Sequence, residues 1–217
     1  PDLMLGWWKG ENNSNDSSGS GLNGISYGGL DYVAGVYGNA FSFDGVDDYI
    51  DFTDVADPNN TAYTFSLWVK YEHPLTSMII SKADNVLSGN YTSWGIVTGW
   101  SNSNVALRCS SLVSSYNTSD NKWHHVVGIH KSPGVYLYVD GILRGNYSHW
   151  LHIRDSPEPL LFGRASDGSG VYKGGLDDVR IYDRELSENE IKSLYNHQIY
   201  EGVNEISLFG CKLVRGR

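Results

Sequence analysis

"YTFSLWVKY", residues 63–71, alternates over its whole length. Phe65, Leu67 and Val69 fall on one side of an extended chain, and Ser66, Trp68 and Lys70 on the other. A period of two predicts a strand with one face in a core. The same reading applies on both sides of it. Upstream lie "LMLGWW" (3–8), "NAFSFDG" (39–45) and "DYIDF" (48–52). Downstream lie "MIISK" (78–82), "SWGIVTGW" (93–100) and "VALRC" (105–109). "WHHVVGIH" (123–130) and "VYLYV" (135–139) flank "KSPG" as a hairpin, and Asp140-Gly141 supplies the next turn. "PLLFGR" (159–164) and "GGLDDVRIYDR" (174–184) close the series.

One helix follows, over "LSENEIKSLYNHQ". Ser187 with Glu190 fits a capping box, and Leu186, Ile191, Leu194 and Tyr195 form an apolar stripe. Its place is over an edge or end of the strands. Many short strands, turns between them and one late helix predict an all-β, two-sheet antiparallel sandwich or jelly roll. The domain spans 1–199. Residues 200–217, with "EISLFGCKLV", form an extension or an added strand.

The chain has 217 residues, with 25 acidic against 16 basic side chains and a net charge of -9. That surface repels nucleic acid and anionic membranes. No apolar run is long enough for a membrane-spanning helix. Cys109 and Cys211 fit no zinc or redox spacing and are as consistent with one bridge as with two thiols. Sequons at Asn12, Asn15, Asn59, Asn90, Asn117 and Asn146 sit mostly in turn-like sequence. They lean toward an extracellular, cell-surface or virion-surface setting.

Taken in order, "GWWKGENNSNDSSGSGLNG", "GVYGNAFSFDGVDDYIDF", "YTFSLWVK", "NKWHHVVGIH", "VYLYVDG", "LLFGR" and "GGLDDVRIYDRELSENEIKSLY" resemble the laminin-G-like, concanavalin A-like jelly-roll family. The resemblance covers about residues 3–196 and implies the sandwich. It implies adhesion or carbohydrate recognition less directly, because sandwiches of this kind also include lyases and glycosidases. It further implies Ca²⁺ near the first loop and the "FDG" strand end. On that basis Asp44 is the first expected ligand, with Asn12 and Asp177 beside it. By residue chemistry alone, Asp47 and Asp48 read as turn formers and Asp51 as a surface residue.

Sugar C–H faces stack on aromatic rings, so a recognition site calls for aromatics in polar surroundings. Trp94, Trp100, Tyr147, Trp150 and Tyr172 meet that description. Trp7, Trp8, Trp68 and Trp123 lie inside strand patterns and read as packing residues. No nucleophile elbow or phosphate loop occurs, nor the acidic alternation of catalytic sandwiches. The expected function is therefore a non-catalytic extracellular module that binds a polysaccharide, a glycoprotein glycan or an extracellular protein, with Ca²⁺ as its cofactor. A polysaccharide lyase or glycosidase, or a purely structural surface module, are the alternatives.

Overall fold

The computed structural model describes residues 4–53, 62–71, 76–83, 94–99, 104–109, 111–131, 134–148 and 158–201. Two antiparallel sheets face each other. Across the first run β13 (Ile142–Ser148), β12 (Gly134–Val139), β11 (His124–Lys131), β6 (Ala62–Lys70), β15 (Lys173–Tyr182), β4 (Asn39–Asp44) and β3 (Asp31–Ala34). Across the second run β10 (Ser111–Asn117), β9 (Asn104–Cys109), β8 (Trp94–Thr98), β7 (Ser77–Lys82), β14 (Leu161–Phe162), β5 (Tyr49–Asp51) and β2 (Ile25–Tyr27). On one edge of β15, β4 takes the first half and β1 (Met4–Trp8) the second.

The alternation in β6 holds, but both of its faces are buried. Phe65, Leu67 and Val69 enter the main core between the sheets. Trp68, on the opposite side, stacks under Tyr195 with centroids 5.8 Å apart. The helix α1 (Glu188–Glu201) thus lies over the outer face of the first sheet, not over an edge or end of the sandwich. Leu186 and Ile191 join Val127, Ile129, Tyr138 and Tyr182 in a second apolar cluster there. Burial of side chains of this size contributes about 1.5–3 kcal/mol each. That offsets the cost of ordering a short helix alone.

Ser187 and Glu190 form the expected reciprocal cap. The Ser187 amide donates to Glu190 Oε2 at 2.8 Å, and the Glu190 amide donates to Ser187 Oγ at 3.3 Å. Ser187→Ala is expected to lower stability by about 1 kcal/mol in urea unfolding. A wild-type midpoint would show that packing alone holds the helix start.

Adjacent tryptophans divide as strand geometry requires. Trp8 is in the main core against Phe52 and Phe162, and its indole N–H donates to Leu22 O at 2.8 Å. Trp7 faces the other way and is only half-buried. No described helix is long and apolar enough to cross a membrane. Cys211 and the rest of 202–217 lie outside the described residues.

Candidate functional site

The turn between β4 and β5 carries Asp44, Asp47 and Asp48. Each offers a carboxylate oxygen within 4.8 Å of the others, an arrangement able to coordinate a cation. Asp44 and Asp47 are exposed, while Asp48 is only 4% exposed. Two bonds shape the turn. Asp44 Oδ1 accepts the Val46 amide at 2.7 Å, and Asp48 Oδ2 accepts the Asp44 amide at 2.9 Å. Asp48 Oδ1 is buried without a hydrogen-bond partner among the described residues. Burial pushes the Asp48 carboxyl above its ordinary pKa, and the charges of Asp44 and Asp47 push the same way. A bound cation reverses both effects by supplying the missing partner and offsetting the repulsion.

Asp48 is therefore more than the turn former its sequence position suggests. Its burial is the signal that residue-by-residue reading misses, because Asp-Asp before a strand looks the same whether it faces solvent or core.

Aromatic side chains adjoin this turn. Tyr27 and Tyr49 are cross-strand partners on β2 and β5, with rings 4.6 Å apart and 7° from parallel. The Arg164 guanidinium lies 3.4 Å from the Tyr49 ring centre. Two groups at those distances cannot share one face, so Tyr49 is sandwiched and the stack ends outward on Tyr27. Tyr27 is 41% exposed, and Val46 at the tip of the acidic turn is 71% exposed. Gly28 holds the two features together at φ +79°, and a Cβ there would lie 2.4 Å from Asp47 O. No side chain fits between the tyrosine stack and the acids.

The expected ligand set of Asp44, Asn12 and Asp177 does not assemble. Asp44 pairs with Lys173, four residues before Asp177 along β15. At roughly 3.3 Å per residue the two aspartates are about 13 Å apart. Asp177 is fully buried, and its Oδ2 accepts the amides of Val36 and Tyr37 at 2.7 and 2.9 Å. Asn12 is exposed beside Glu11, whose Oε2 accepts the Asn39 amide at the end of β4 remote from Asp44. Asn12 and Asp177 thus share one end of β4, and Asp44 stands at the other. Strand register decides this, and the sequence does not display it.

The expected aromatics scatter. Trp94 is fully buried against Phe65 at 4.6 Å, a core residue rather than a stacking surface. Tyr172 is 1% exposed, and its hydroxyl donates toward Gly175 O at 3.0 Å, so it too is structural. Tyr147 is exposed on β13, at the far edge of the first sheet. Trp100 and Trp150 lie outside the described residues.

Residues 44–192 match the model of Laminin_G_3, within the concanavalin A-like lectin/glucanases superfamily. The chain belongs to this family. The Laminin_G_3 match begins at Asp44 itself and ends inside α1. Among solved structures, this laminin-G-like domain is similar to domain 4 of AbnA, an extracellular GH43 arabinanase from Geobacillus stearothermophilus solved with arabinotriose. Identity is 19% and the TM-score 0.71, over 89% of this chain and 98% of that one. It is also similar to the binding domain of Paraclostridial Mosquitocidal Protein 1, at 18% identity and a TM-score of 0.70, over 90% of this chain. The botulinum neurotoxin serotype D ligand binding domain, solved with N-acetylneuraminic acid, gives 19%, 0.67 and 91%. The chain spans about half the length of each of these two toxin domains, 52% in both cases. At such identities the likeness is one of fold.

Proposed function

We propose that this domain is a non-catalytic recognition module that binds glycans, with calcium held at the Asp44–Asp48 turn. One observation carries the reading. A buried carboxylate oxygen on Asp48, without a partner among the described residues, sits in a three-aspartate cluster beside the exposed ring of Tyr27. Asp44, Asp47 and Asp48 would hold the ion, and carbonyls and water would complete the six to eight oxygens calcium takes. When bound, calcium supplies a fixed positive charge with open positions for ligand oxygens. Tyr27 offers a flat apolar face, and Arg164 behind Tyr49 keeps the stack rigid.

The arabinotriose bound to the AbnA domain and the N-acetylneuraminic acid bound to the toxin domain support glycans as the ligand class. An extracellular placement fits the sequons, since Asn12, Asn15, Asn117 and Asn146 are all exposed.

Calcium titration by calorimetry, with thermal melts in calcium and in EDTA, tests the ion. At a hundred times its Kd, an ion that binds only the folded state adds about 2.7 kcal/mol of stability. Asp47→Asn, at an exposed position, is expected to weaken calcium binding while the EDTA melt stays at the parent value. Arabinotriose and N-acetylneuraminic acid are the first glycans to titrate, with Tyr27→Ala expected to lose the one that binds. Unchanged melts in calcium would remove the ion from the reading. Glycan binding indifferent to Tyr27→Ala would remove the turn as the site.

A further inference from the structure

Beside α1 the first sheet carries a groove of about 860 Å³, toward the other end of β15 from the acidic turn. Its geometry comes from an irregularity in β15. Against β6, Asp177 pairs with Trp68 and Arg180 with Ser66, so three steps on β15 match two on β6. The extra residue is accommodated with Asp178 at φ +48°, a conformation that costs energy for a residue with a Cβ. In a regular strand, successive side chains point to opposite faces. Here Asp177, Asp178 and Arg180 all line the same groove.

Each of the three has a distinct task. Asp178 Oδ1 accepts the Trp7 indole N–H at 2.6 Å and is bonded by Arg180 at 3.0 and 3.2 Å. Trp7 is thereby oriented by a hydrogen bond at the groove wall, whereas its neighbour Trp8 sits in the main core and bonds Leu22 O. Lys9 Nζ stands 4.1 Å from the Trp7 ring centre and the Arg180 guanidinium 4.6 Å. Asp177 Oδ2 accepts two backbone amides, and its Oδ1 is buried without a hydrogen-bond partner among the described residues. A fully buried carboxyl oxygen that lines a cavity and has no partner among the described residues is costly unless something enters the cavity to hydrogen-bond it.

We infer that this groove is a second ligand site, taking a neutral saccharide that hydrogen-bonds the Asp177 carboxyl at Oδ1 while Lys9 donates to a neighbouring sugar oxygen. The volume falls in the range of small-molecule sites, and the wall mixes aromatic and apolar side chains with a few fixed polar groups. The charges select against an acidic sugar. Arg180 is paired with Asp178 and Arg184 with Glu190, at 3.0 and 2.8 Å. Among the described lining residues that leaves Lys9 against Glu11 on the groove wall. A peptide adding as a strand is disfavoured. The edge of β1 away from β15 is occupied, since Trp7 N donates to Asp16 Oδ1 and Trp7 O accepts the Ser17 amide. The site does not depend on calcium, so it stands or falls apart from the acidic turn.

The test uses the ¹⁵N-labelled chain in EDTA, titrated with arabinotriose, xylotriose and cellotriose. Resonances are followed at the indole N–H of Trp7, with that of Trp8 as the control for an intact fold. At least one trisaccharide is expected to move the Trp7 signal saturably and leave Trp8 in place. Lys9→Met and Asp177→Asn should each weaken that binding about tenfold. Asp47→Asn should leave it unchanged. The inference is overturned if no trisaccharide moves Trp7. It is equally overturned if both groove variants bind like the parent with Trp8 undisturbed.

Discussion

Between about pH 4 and pH 7, an Asp177→Asn variant gains about 4 kcal/mol of stability relative to the parent chain. Complete burial raises the Asp177 carboxyl from 3.8 to about 7, against the lowering effect of the Val36 and Tyr37 amides. The folded parent therefore holds a proton that the unfolded chain has released. Its contribution to stability is full below about pH 4 and gone above about pH 7. Asparagine cannot titrate, so the difference between the two proteins isolates this group.

His125 gives the mirror image. It too is buried, with Nε2 2.9 Å from Ser66 Oγ, and burial lowers it from 6.5 to about 3. Its contribution is full above about pH 6.5 and lost as pH falls toward 3, so a His125→Gln variant gains on the parent in acid. Urea unfolding of the three proteins at pH 4, 5.5 and 7, in EDTA, reads both effects of opposite sign in one experiment. Parallel stability profiles for Asp177→Asn and parent would mean that Asp177 titrates normally.

Trp94→Ala is expected to cost about 3–5 kcal/mol, enough to unfold a marginal domain. The ring fills the space between the sheets beside Phe65 and Tyr63 and is fully buried. Its indole N–H has no partner among the described residues. Trp94→Phe keeps most of the ring and deletes that donor, so its cost should be a minor fraction of the alanine cost. Chemical denaturation orders the three proteins, and glycan titration of Trp94→Phe should match the parent. A stable Trp94→Ala that simply loses a ligand would restore Trp94 as a binding residue.

Those two residues also mark where the sequence was and was not readable. Period-two stretches such as 63–71 identify strands reliably, since burial of alternate side chains is itself the cause of the pattern. Trp94 sits at the start of a strand whose five residues are all buried, so no polar face betrays which way its ring points. The edge strands β2 and β3 show the opposite failure. They are largely exposed, bury little and leave no alternation to find. β13 is the same: it pairs with β12, but Ile142, Leu143 and Tyr147 are all exposed on it. The acids were visible as a group, but their partition was not. Asp44 and Asp177 are separated by register, and Asp48 differs from Asp47 only in how the turn buries it.

The arrangement around β15 has a consequence for how the chain is made. β4 and β6 are both complete by residue 70, but they do not pair with each other. Each pairs with β15, which spans Lys173–Tyr182, and so does β1 at residues 4–8. On a ribosome the middle of this sheet stays open until most of the chain has emerged. Three early strands wait with unpaired edges for a single late one. Fragments ending before residue 173 lack that junction altogether, and their open edges invite association with other chains.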